Sequence, residues 1–339
     1  MSARSNSIDL NKRTIILSAL IVLTAAVIIG NAWICDDIYI TLRTVDNFVN
    51  GYGLRWNIGE RVQGFTHPLW LALITPFYYV TREGYFTILF ISLGLTLATV
   101  GMVLFRMSRT IIAAVLGTAI LLLSKAFVDY SSSGLETPLS YSLVALFYYV
   151  YLRWPDDRRK LFFLSLLTSL GALNRPDLVL FFLPAWGYQI VRHYSMRNIA
   201  TVVLGFVPLI GWEIFSVAYY GMPFPNTYYA KLHTGIGGLD LARQGVSYFV
   251  DSITTDPLTL ITIILTCLII AVGGNLRQRM LPAGIALNLI YVMRIGGCFM
   301  SGRYFAVPLL ASVVLILMLA ENKAKPSWRP VLIGLLAVA

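Results

Sequence analysis

Long apolar runs separated by short polar loops dominate the chain from residue 13 onward. A membrane-spanning helix needs about 20 mostly apolar residues, and shorter ones occur. The pattern predicts ten spanning helices and a partial eleventh that begins near residue 328. The predicted spans are 13–34, 84–105, 109–128, 138–153, 160–174, 178–192, 198–218, 257–274, 280–296 and 303–320. One further apolar stretch, Pro68–Val80, is short, and its assignment decides the topology.

Composition supports this interpretation, because 58% of the 339 residues are hydrophobic and only 12% are charged, with a mean hydropathy of +0.74. Soluble domains carry about 25% charged residues. We therefore predict an all-α polytopic membrane protein with a single transmembrane domain over 1–339 and no separate soluble domain. The first apolar run is expected to be an anchor rather than a cleaved signal peptide. The last residues read as part of a helix, so the sequence is expected to be a fragment at that end.

The net charge of +10 does not require a nucleic-acid partner, because the basic residues lie in short clusters between apolar runs. Such clusters mark cytoplasmic loops. If Pro68–Val80 spans the membrane, the clusters fall on alternating sides. If it lies along the outer surface as an interfacial helix, 16 of the 26 Lys and Arg fall on one side. The second arrangement places the N-terminus in the cytoplasm. It gathers the polar loops 35–83, 129–138, 174–177, 222–235 and 294–303 on the external side.

The first of these loops, residues 35–83, begins with the adjacent carboxylates Asp36 and Asp37 directly after the first span. Carboxylates are costly to desolvate, so the pair should face water or a polar cleft. A carboxylate fixed at a helix end suits the removal of a proton from a sugar hydroxyl, and its neighbour could orient the acceptor or hold a divalent cation. The alternative interpretation is a solvated helix terminus. We predict Asp36 and Asp37 as catalytic.

Several cations lie in the predicted external loops, against the usual distribution of positive charge. Arginine offers a fork of donors to phosphate oxygens. We predict that four of these cations bind the donor phosphate: Arg43, Arg175, Lys231 and Arg303. The competing interpretation for each is a lipid headgroup contact or pairing with a nearby carboxylate. Arg175 and Asp177 of the NRPD segment are close enough in sequence to pair.

Four further residues are predicted to bind substrate: His67, Glu136, Asn226 and Tyr228. Each has a structural alternative, since Glu136 could cap the helix that starts at Pro138 and tyrosines favour membrane interfaces. No metal site is predicted, because the three histidines share no helical spacing and the three cysteines show no metal-ligand spacing. No cofactor is implied, although a divalent cation stays open. Cys35 and Cys298 fall on the same predicted face and could form a disulfide.

An ordered set of motifs covers residues 14–310: DDIYITLR, GYGLRWNIGERVQGFTHPLW, SGLETPL, NRPD, PFPNTYYAK and GGCFMSGR. The set resembles the bacterial membrane arabinofuranosyltransferases of the GT-C superfamily, which include terminal β-(1→2)-arabinofuranosyltransferases and enzymes that arabinosylate pilins. The resemblance implies a GT-C-type bundle of about 11 spans in the inner membrane, with an external active site. It implies an inverting enzyme that takes its sugar from a polyprenyl phosphate and gives it to a glycan or pilin-like acceptor. The essential acidic residue of the family's first external loop maps onto Asp36 or Asp37.

One position departs from the family pattern, since Cys298 stands where related sequences usually carry Asp. Altered specificity or reduced activity follows as one expectation, and an inactive relative acting as a scaffold is one alternative. A second alternative is a transporter or flippase of lipid-linked sugars, which would place polar residues at mid-membrane on broken helices. The chain instead keeps its polar residues in loops, which favours the enzyme.

Overall fold

Sixteen α-helices make up the computed structural model, which describes residues 2–108, 110–232 and 235–319, with side chains described except at 2–10, 231, 232 and 319. Across those ranges all regular structure is helical. The helices are α1 Ser2–Gly30, α2 Ile38–Val49, α3 Pro68–Thr81, α4 Tyr85–Met102, α5 Ile111–Leu123, α6 Lys125–Tyr130, α7 Thr137–Arg153 and α8 Arg158–Asn174. They continue with α9 Val179–Arg192, α10 Met196–Gly205, α11 Val207–Tyr220, α12 Asn226–Leu232, α13 Gly238–Thr255, α14 Pro257–Gly273, α15 Leu276–Arg294 and α16 Ala306–Leu319. The expectation of an all-α protein is confirmed.

The centre of the bundle is α16, whose described side chains are buried on every face, including Leu309, Val313 and Leu317. A helix that is hydrophobic all round belongs in a core rather than at a surface. Helices α5, α7 and α14 pack around it. Helix α7 in turn contacts α4 and α8, and α8 contacts α9 and α10.

Glycines allow two of the closest helix pairs to form. A Cβ on Gly284 of α15 would lie 2.2 Å from the carbonyl oxygen of Phe181 on α9. A Cβ on Gly205 of α10 would lie 2.6 Å from the Cβ of Ser165 on α8. Small residues at such crossings let helix backbones approach closely, which is typical of packing inside membranes.

Two helical segments are long and apolar enough to cross a membrane, Asn11–Gly30 and Tyr85–Met107. Two bent pairs raise the number to four if each pair is one span: α10 with α11, bent by 55°, and α13 with α14, bent by 110°. Most of the other predicted spans correspond to helices of 13–17 residues, such as α5, α7, α8 and α9, while 280–296 corresponds to the 19-residue helix α15. The predicted partial span from residue 328 lies outside the described residues. The predicted count of about 11 is therefore not shown for the described residues.

Two predicted spans are each broken into two helices. The predicted span 109–128 is interrupted at Ser124, whose side chain accepts a hydrogen bond from the Phe127 N–H and caps α6. The predicted span 198–218 is interrupted at Phe206, two residues before Pro208, which has no N–H to continue the helix. A third correction concerns helices α2 and α13, which the apolar pattern did not predict.

The stretch Pro68–Val80 is helical, as expected, and forms α3. Its buried face carries Trp70, Leu71 and Ile74 and packs against α2, α4 and α8. The Trp70 indole N–H donates to the carbonyl of Gly134 at 3.0 Å, which fixes α3 beside the loop before α7. The long segment between α1 and α4 therefore contains two helices, α2 and α3, and is held against the bundle through α3.

Candidate functional site

Ionisable residues from five separate loops meet at one end of the bundle. They are Asp37 before α2, His67 before α3, Glu136 before α7, Arg175 and Asp177 between α8 and α9, and Arg303 before α16. We call this set the charge cluster. Each member lies at or next to a helix end: Pro68 begins α3, Pro138 lies in the first turn of α7, Pro176 prevents α8 from continuing, and the turn at Gly302 precedes α16.

Glu136 is the centre of the charge cluster and is only 3% exposed. Its Oε1 atom lies 3.3 Å from Nη1 of Arg175 and 3.8 Å from Nη2 of Arg303. Its Oε2 atom lies 3.5 Å from Nδ1 of His67. Thus one buried carboxylate holds two guanidinium groups and an imidazole that arrive from three different loops.

Arg175 also forms a bidentate ion pair with Asp177: its Nε donates to Oδ1 at 2.9 Å and its Nη2 donates to Oδ2 at 3.0 Å. The predicted proximity of these two residues is confirmed. The guanidinium lies 5.0 Å from the centre of the Tyr304 ring. Burial would lower the pKa of Arg175, but the carboxylates of Asp177 and Glu136 outweigh it and raise the pKa above its ordinary value. Arg175 is therefore a fixed, permanently charged part of the cluster.

Of the two predicted catalytic carboxylates, only Asp37 joins the charge cluster. Its Oδ2 atom lies 3.6 Å from Nη1 of Arg303, and its side chain is 41% exposed. Asp36 is exposed and makes local contacts instead, accepting from the Asp37 N–H at 3.0 Å and from the Cys35 thiol at 3.3 Å. The Cys35 N–H donates to the carbonyl of Ser133 at 2.9 Å, which holds this loop against the start of α7.

A closed ring of contacts links α2 to the buried carboxylate. Thr41 lies one helical turn after Asp37, and its hydroxyl is 2.7 Å from Nε2 of His67. His67 contacts Glu136, Glu136 contacts Arg303, and Arg303 returns to Asp37. The ring therefore fixes where Asp37 stands relative to Arg303.

Burial and charge act in opposite directions on the two titratable groups at the centre. Burial is the largest influence on His67 and lowers its pKa, as do the two arginines, while Glu136 acts the other way. The imidazole is thus neutral at pH 7. Burial alone would raise the pKa of Glu136, but the positive neighbours lower it to about 2. The largest of these lowering influences is His67 in its protonated form, followed by Arg175 and Arg303.

Two buried polar atoms of the charge cluster have no hydrogen-bond partner within the described part of the chain: Oε2 of Glu136 and Nε of Arg303. Buried polar atoms in proteins are usually hydrogen-bonded. Oε2 of Glu136 has only the 3.5 Å contact with the His67 imidazole, so one acceptor and one donor at the centre of the charge cluster are left unsatisfied.

The remaining predicted site residues lie outside the charge cluster. Arg43 is exposed, donates to the Trp56 carbonyl at 3.0 Å and stacks on the Trp56 ring at 4.2 Å. Asn226 and Tyr228 are exposed on α12, where the Asn226 N–H donates to the Gln63 carbonyl at 3.1 Å. Lys231 belongs to α12, and its side chain lies outside the described part of the structure. The structure thus brings together Asp37, His67, Glu136, Arg175 and Arg303 and separates Arg43, Asn226 and Tyr228 from them.

Sequence reasoning missed three participants of the charge cluster: Thr41, Asn288 and Tyr304. Asn288 of α15 approaches Asp177 at 3.5 Å. Thr41 could have been found from its position four residues after Asp37, which places both residues on the same face of a helix. That inference requires 38–49 to be recognised as a helix, which the apolar pattern did not predict. Nothing local to Asn288 or Tyr304 marks them, because their role depends on which helices pack together.

All three cysteines, Cys35, Cys267 and Cys298, are free thiols, so the disulfide considered between Cys35 and Cys298 is not formed. The Cys298 sulfur accepts a hydrogen bond from the Met300 N–H at 3.4 Å. Among the described residues there is no group of three or more His, Cys, Asp or Glu that could hold a metal ion.

Comparison with known proteins identifies two distant homologues. The chain is 28% identical to the terminal β-(1→2)-arabinofuranosyltransferase of Mycobacterium tuberculosis, over 82% of this chain and 51% of that protein. It is 25% identical to the terminal β-(1→2)-arabinofuranosyltransferase of Corynebacterium glutamicum, over 96% of this chain and 54% of that protein. The chain therefore spans about half the length of the curated relatives it matches. No family model and no solved structure matches the chain. The predicted resemblance is confirmed as distant homology to these transferases.

Proposed function

We propose that this protein is a membrane glycosyltransferase that transfers arabinofuranose from a polyprenyl-phosphate donor to a hydroxyl of a cell-envelope glycan. The observation that carries the proposal is the charge cluster, which combines a half-exposed carboxylate with two fixed arginines. Distant homology to two arabinofuranosyltransferases supports the choice of sugar. The comparisons offer nothing in favour of a pilin-like acceptor, so a glycan is the proposed acceptor.

Asp37 is the proposed general base. Its carboxylate is accessible enough to receive a proton from an acceptor hydroxyl, unlike the buried Glu136. The acceptor oxygen attacks the anomeric carbon and its proton passes to Asp37. The bond from that carbon to the phosphate oxygen breaks, and the electron pair leaves with the polyprenyl phosphate. Asp36 is the second candidate base, because it lies next to Asp37 and is more exposed.

Arg303 is the proposed contact for the donor phosphate, because its guanidinium lies between Asp37 and Glu136 and keeps an unpartnered Nε. A phosphate at Arg303 would compete with Asp37 for the guanidinium and release the carboxylate for proton transfer. Arg175 is committed to two carboxylates, so its role is to hold Glu136 in place rather than to bind phosphate. Glu136 likewise orients Arg303.

The proposed topology is a bundle of about 11 membrane crossings with a cytoplasmic N-terminus and an external charge cluster. Helices α7, α8 and α9 each have one end at the charge cluster and the other in an arginine-rich loop. The arginine-rich ends fit the cytoplasmic side, where positive charge is enriched.

The test is transfer by the purified full chain supplied with polyprenyl-phospho-arabinofuranose and an arabinan acceptor. We expect Asp37→Asn to reduce turnover by about 100-fold or more. The exposed control Asp240→Asn, on α13, should leave turnover unchanged. If both Asp36→Asn and Asp37→Asn keep full turnover, the assignment of the base is wrong. If the folded wild type neither transfers nor hydrolyses the sugar, the proposed function is wrong, and movement of intact donor across vesicles would indicate a transporter.

A further inference from the structure

A second polar cluster lies at the opposite ends of α7, α8 and α9 from the charge cluster. Helix α8 runs from Arg158 to Asn174, and 17 residues at 1.5 Å each separate its ends by about 25 Å. At the Arg158 end, Asp156 accepts from the Lys160 ammonium and from the Gln189 amide, both at 2.7 Å. This second cluster therefore has no contact with the proposed catalytic residues.

A cavity of about 240 Å³ opens beside this second cluster. Its walls come from the start of α8 and the loop before it, and from the end of α9, the start of α10 and the connection between them: Asp156, Asp157, Arg158, Leu161, Gln189, His193, Ser195 and Asn198. One water occupies roughly 30 Å³ of liquid, so the cavity has room for a small organic group.

Gln189 leaves an unsatisfied hydrogen-bond acceptor in the wall of the cavity. Its side chain is 2% exposed, its amide N–H₂ donates to Asp156, and its Oε1 has no hydrogen-bond partner in the described part of the chain. Nε2 of His193, in the same wall, is also buried without a partner. A buried amide oxygen left without a donor is destabilising. A ligand that supplies N–H or O–H groups would satisfy it.

The charged groups of the wall have both signs. Asp157 uses one carboxylate oxygen to cap α8, accepting from the Lys160 N–H at 2.8 Å, and forms no ion pair with the described residues. Arg158, next to it, is exposed and makes no hydrogen bond or ion pair with them either. The ligand that matches an unpaired carboxylate, a free amide oxygen and an unpaired guanidinium carries a primary ammonium and a phosphate. That combination is the phosphoethanolamine headgroup.

Helix α10, which starts at the cavity, presents apolar side chains outward. Met196 is 78% exposed and Val203 and Leu204 are more than half exposed. Val191, two residues after Gln189 on α9, is 78% exposed. Acyl chains attached to a headgroup in the cavity could lie along this apolar surface, whereas a soluble zwitterion would leave it uncovered.

The geometry points to a binding site for phosphatidylethanolamine, with its ammonium at Gln189 Oε1 and Asp157 and its phosphate at Arg158. Phosphatidylcholine, with the same phosphate, cannot donate a hydrogen bond from its quaternary nitrogen. Preferential binding of phosphatidylethanolamine over phosphatidylcholine is therefore the expected property of the site. This proposal depends on insertion of the chain into a membrane and not on the proposed sugar transfer.

The test is lipid binding to the full chain in detergent, measured by native mass spectrometry with phosphatidylethanolamine, phosphatidylcholine and phosphatidylglycerol. We expect phosphatidylethanolamine to bind about tenfold more tightly than phosphatidylcholine, because a hydrogen bond to a charged group is lost with the latter. Asp157→Asn keeps the helix cap but removes the charge, and should abolish most of this preference. Arg158→Gln should weaken both lipids equally.

The matched control is Arg159→Gln, an exposed arginine next to the cavity that is not part of its wall. It should leave binding of all three lipids unchanged. Equal binding of phosphatidylethanolamine and phosphatidylcholine, tighter binding of phosphatidylglycerol, or an unchanged preference in folded Asp157→Asn would each overturn the proposal. Displacement of the lipid by an equal concentration of soluble phosphoethanolamine would overturn the assignment to a lipid.

Discussion

Replacing Glu136 by Gln tests the charge cluster through stability, without any assay of transfer. The pKa of Glu136 falls from its ordinary 4.5 to about 2 in the folded protein. Each unit of difference corresponds to about 1.4 kcal/mol, so ionised Glu136 contributes about 3 kcal/mol at neutral pH. The side chain is 3% exposed, so solvent screens little of this interaction. An unfolding entropy of roughly 2.1 cal/mol/K per residue over 339 residues converts this to about 4 °C, so we expect Glu136→Gln to lower the melting temperature in detergent by about 4 °C at pH 7.

The pH dependence gives the sign of the effect. Because the folded pKa is depressed, the contribution is complete above pH 4.5 and is lost as the pH falls from 4.5 towards 2. About 1 kcal/mol should remain at pH 3. Glu136 raises the pKa of His67, so losing it depresses that pKa further and slightly enlarges the penalty below pH 6.5. The deficit of the variant should therefore change little between pH 7 and 5 and then shrink.

The control is Glu60→Gln, because Glu60 is exposed and hydrogen-bonds only to the nearby Asn57 among the described residues. Its effect should stay within about 0.5 kcal/mol at every pH. A Glu136→Gln variant as stable as the wild type at pH 7 would refute the reasoning, as would a deficit that persists unchanged at pH 3. Either result would mean that Arg175 and Arg303 do not stabilise the ionised carboxylate.

Three further variants can be measured by the same melting assay. Arg175→Lys replaces a two-pronged contact with a point charge and should cost about 1–3 kcal/mol, so an unchanged melting temperature would contradict the geometry. Lys160→Met should lower the free energy of unfolding by less, about 1–2 kcal/mol, because its partner Asp156 is a quarter exposed and keeps its contacts with Gln189 and Arg277. A larger loss of stability would contradict this estimate. Gly284→Ala should cost about 1–3 kcal/mol by forcing a Cβ against the Phe181 carbonyl, whereas Gly187→Ala on α9 meets no atom within 4 Å and should not destabilise.

Apolar runs located most bundle helices closely, because proline and arginine mark their ends. The predicted spans 138–153 and 178–192 correspond to Thr137–Arg153 and Val179–Arg192. The same pattern failed at the breaks, since hydrophobic residues continue through Ser124 and Phe206 and only Pro208 signals the second bend. Helix α13 was missed because its one-sided apolar pattern is too weak for a membrane span.

The sequence indicates which residues are candidates for the charge cluster, but it carries no information on the distances between the loops that hold them. Asp37, Glu136, Arg175 and Arg303 belong to loops that converge because each adjoins a bundle helix end. Arg43 is also a cation in a predicted external loop, but its guanidinium donates to the Trp56 carbonyl and stacks on the Trp56 ring. Which external cations meet a buried carboxylate depends on tertiary packing, and no local pattern encodes that information.

The spacing of the two polar clusters has a consequence for the membrane around the protein. Helices α7 and α8 have 17 residues each and are about 25 Å long, whereas the hydrocarbon core of a bilayer is about 30 Å thick. Under the proposed topology both helices fall short by roughly 5 Å, which a bilayer accommodates by thinning locally. Long side chains can supply part of the difference, as Lys160 does by keeping its ammonium on Asp156 while its stem is buried. Phosphatidylethanolamine at the Arg158 end would place a headgroup at the depth where these helices end, so the lipid site and the shortness of the helices are mutually consistent.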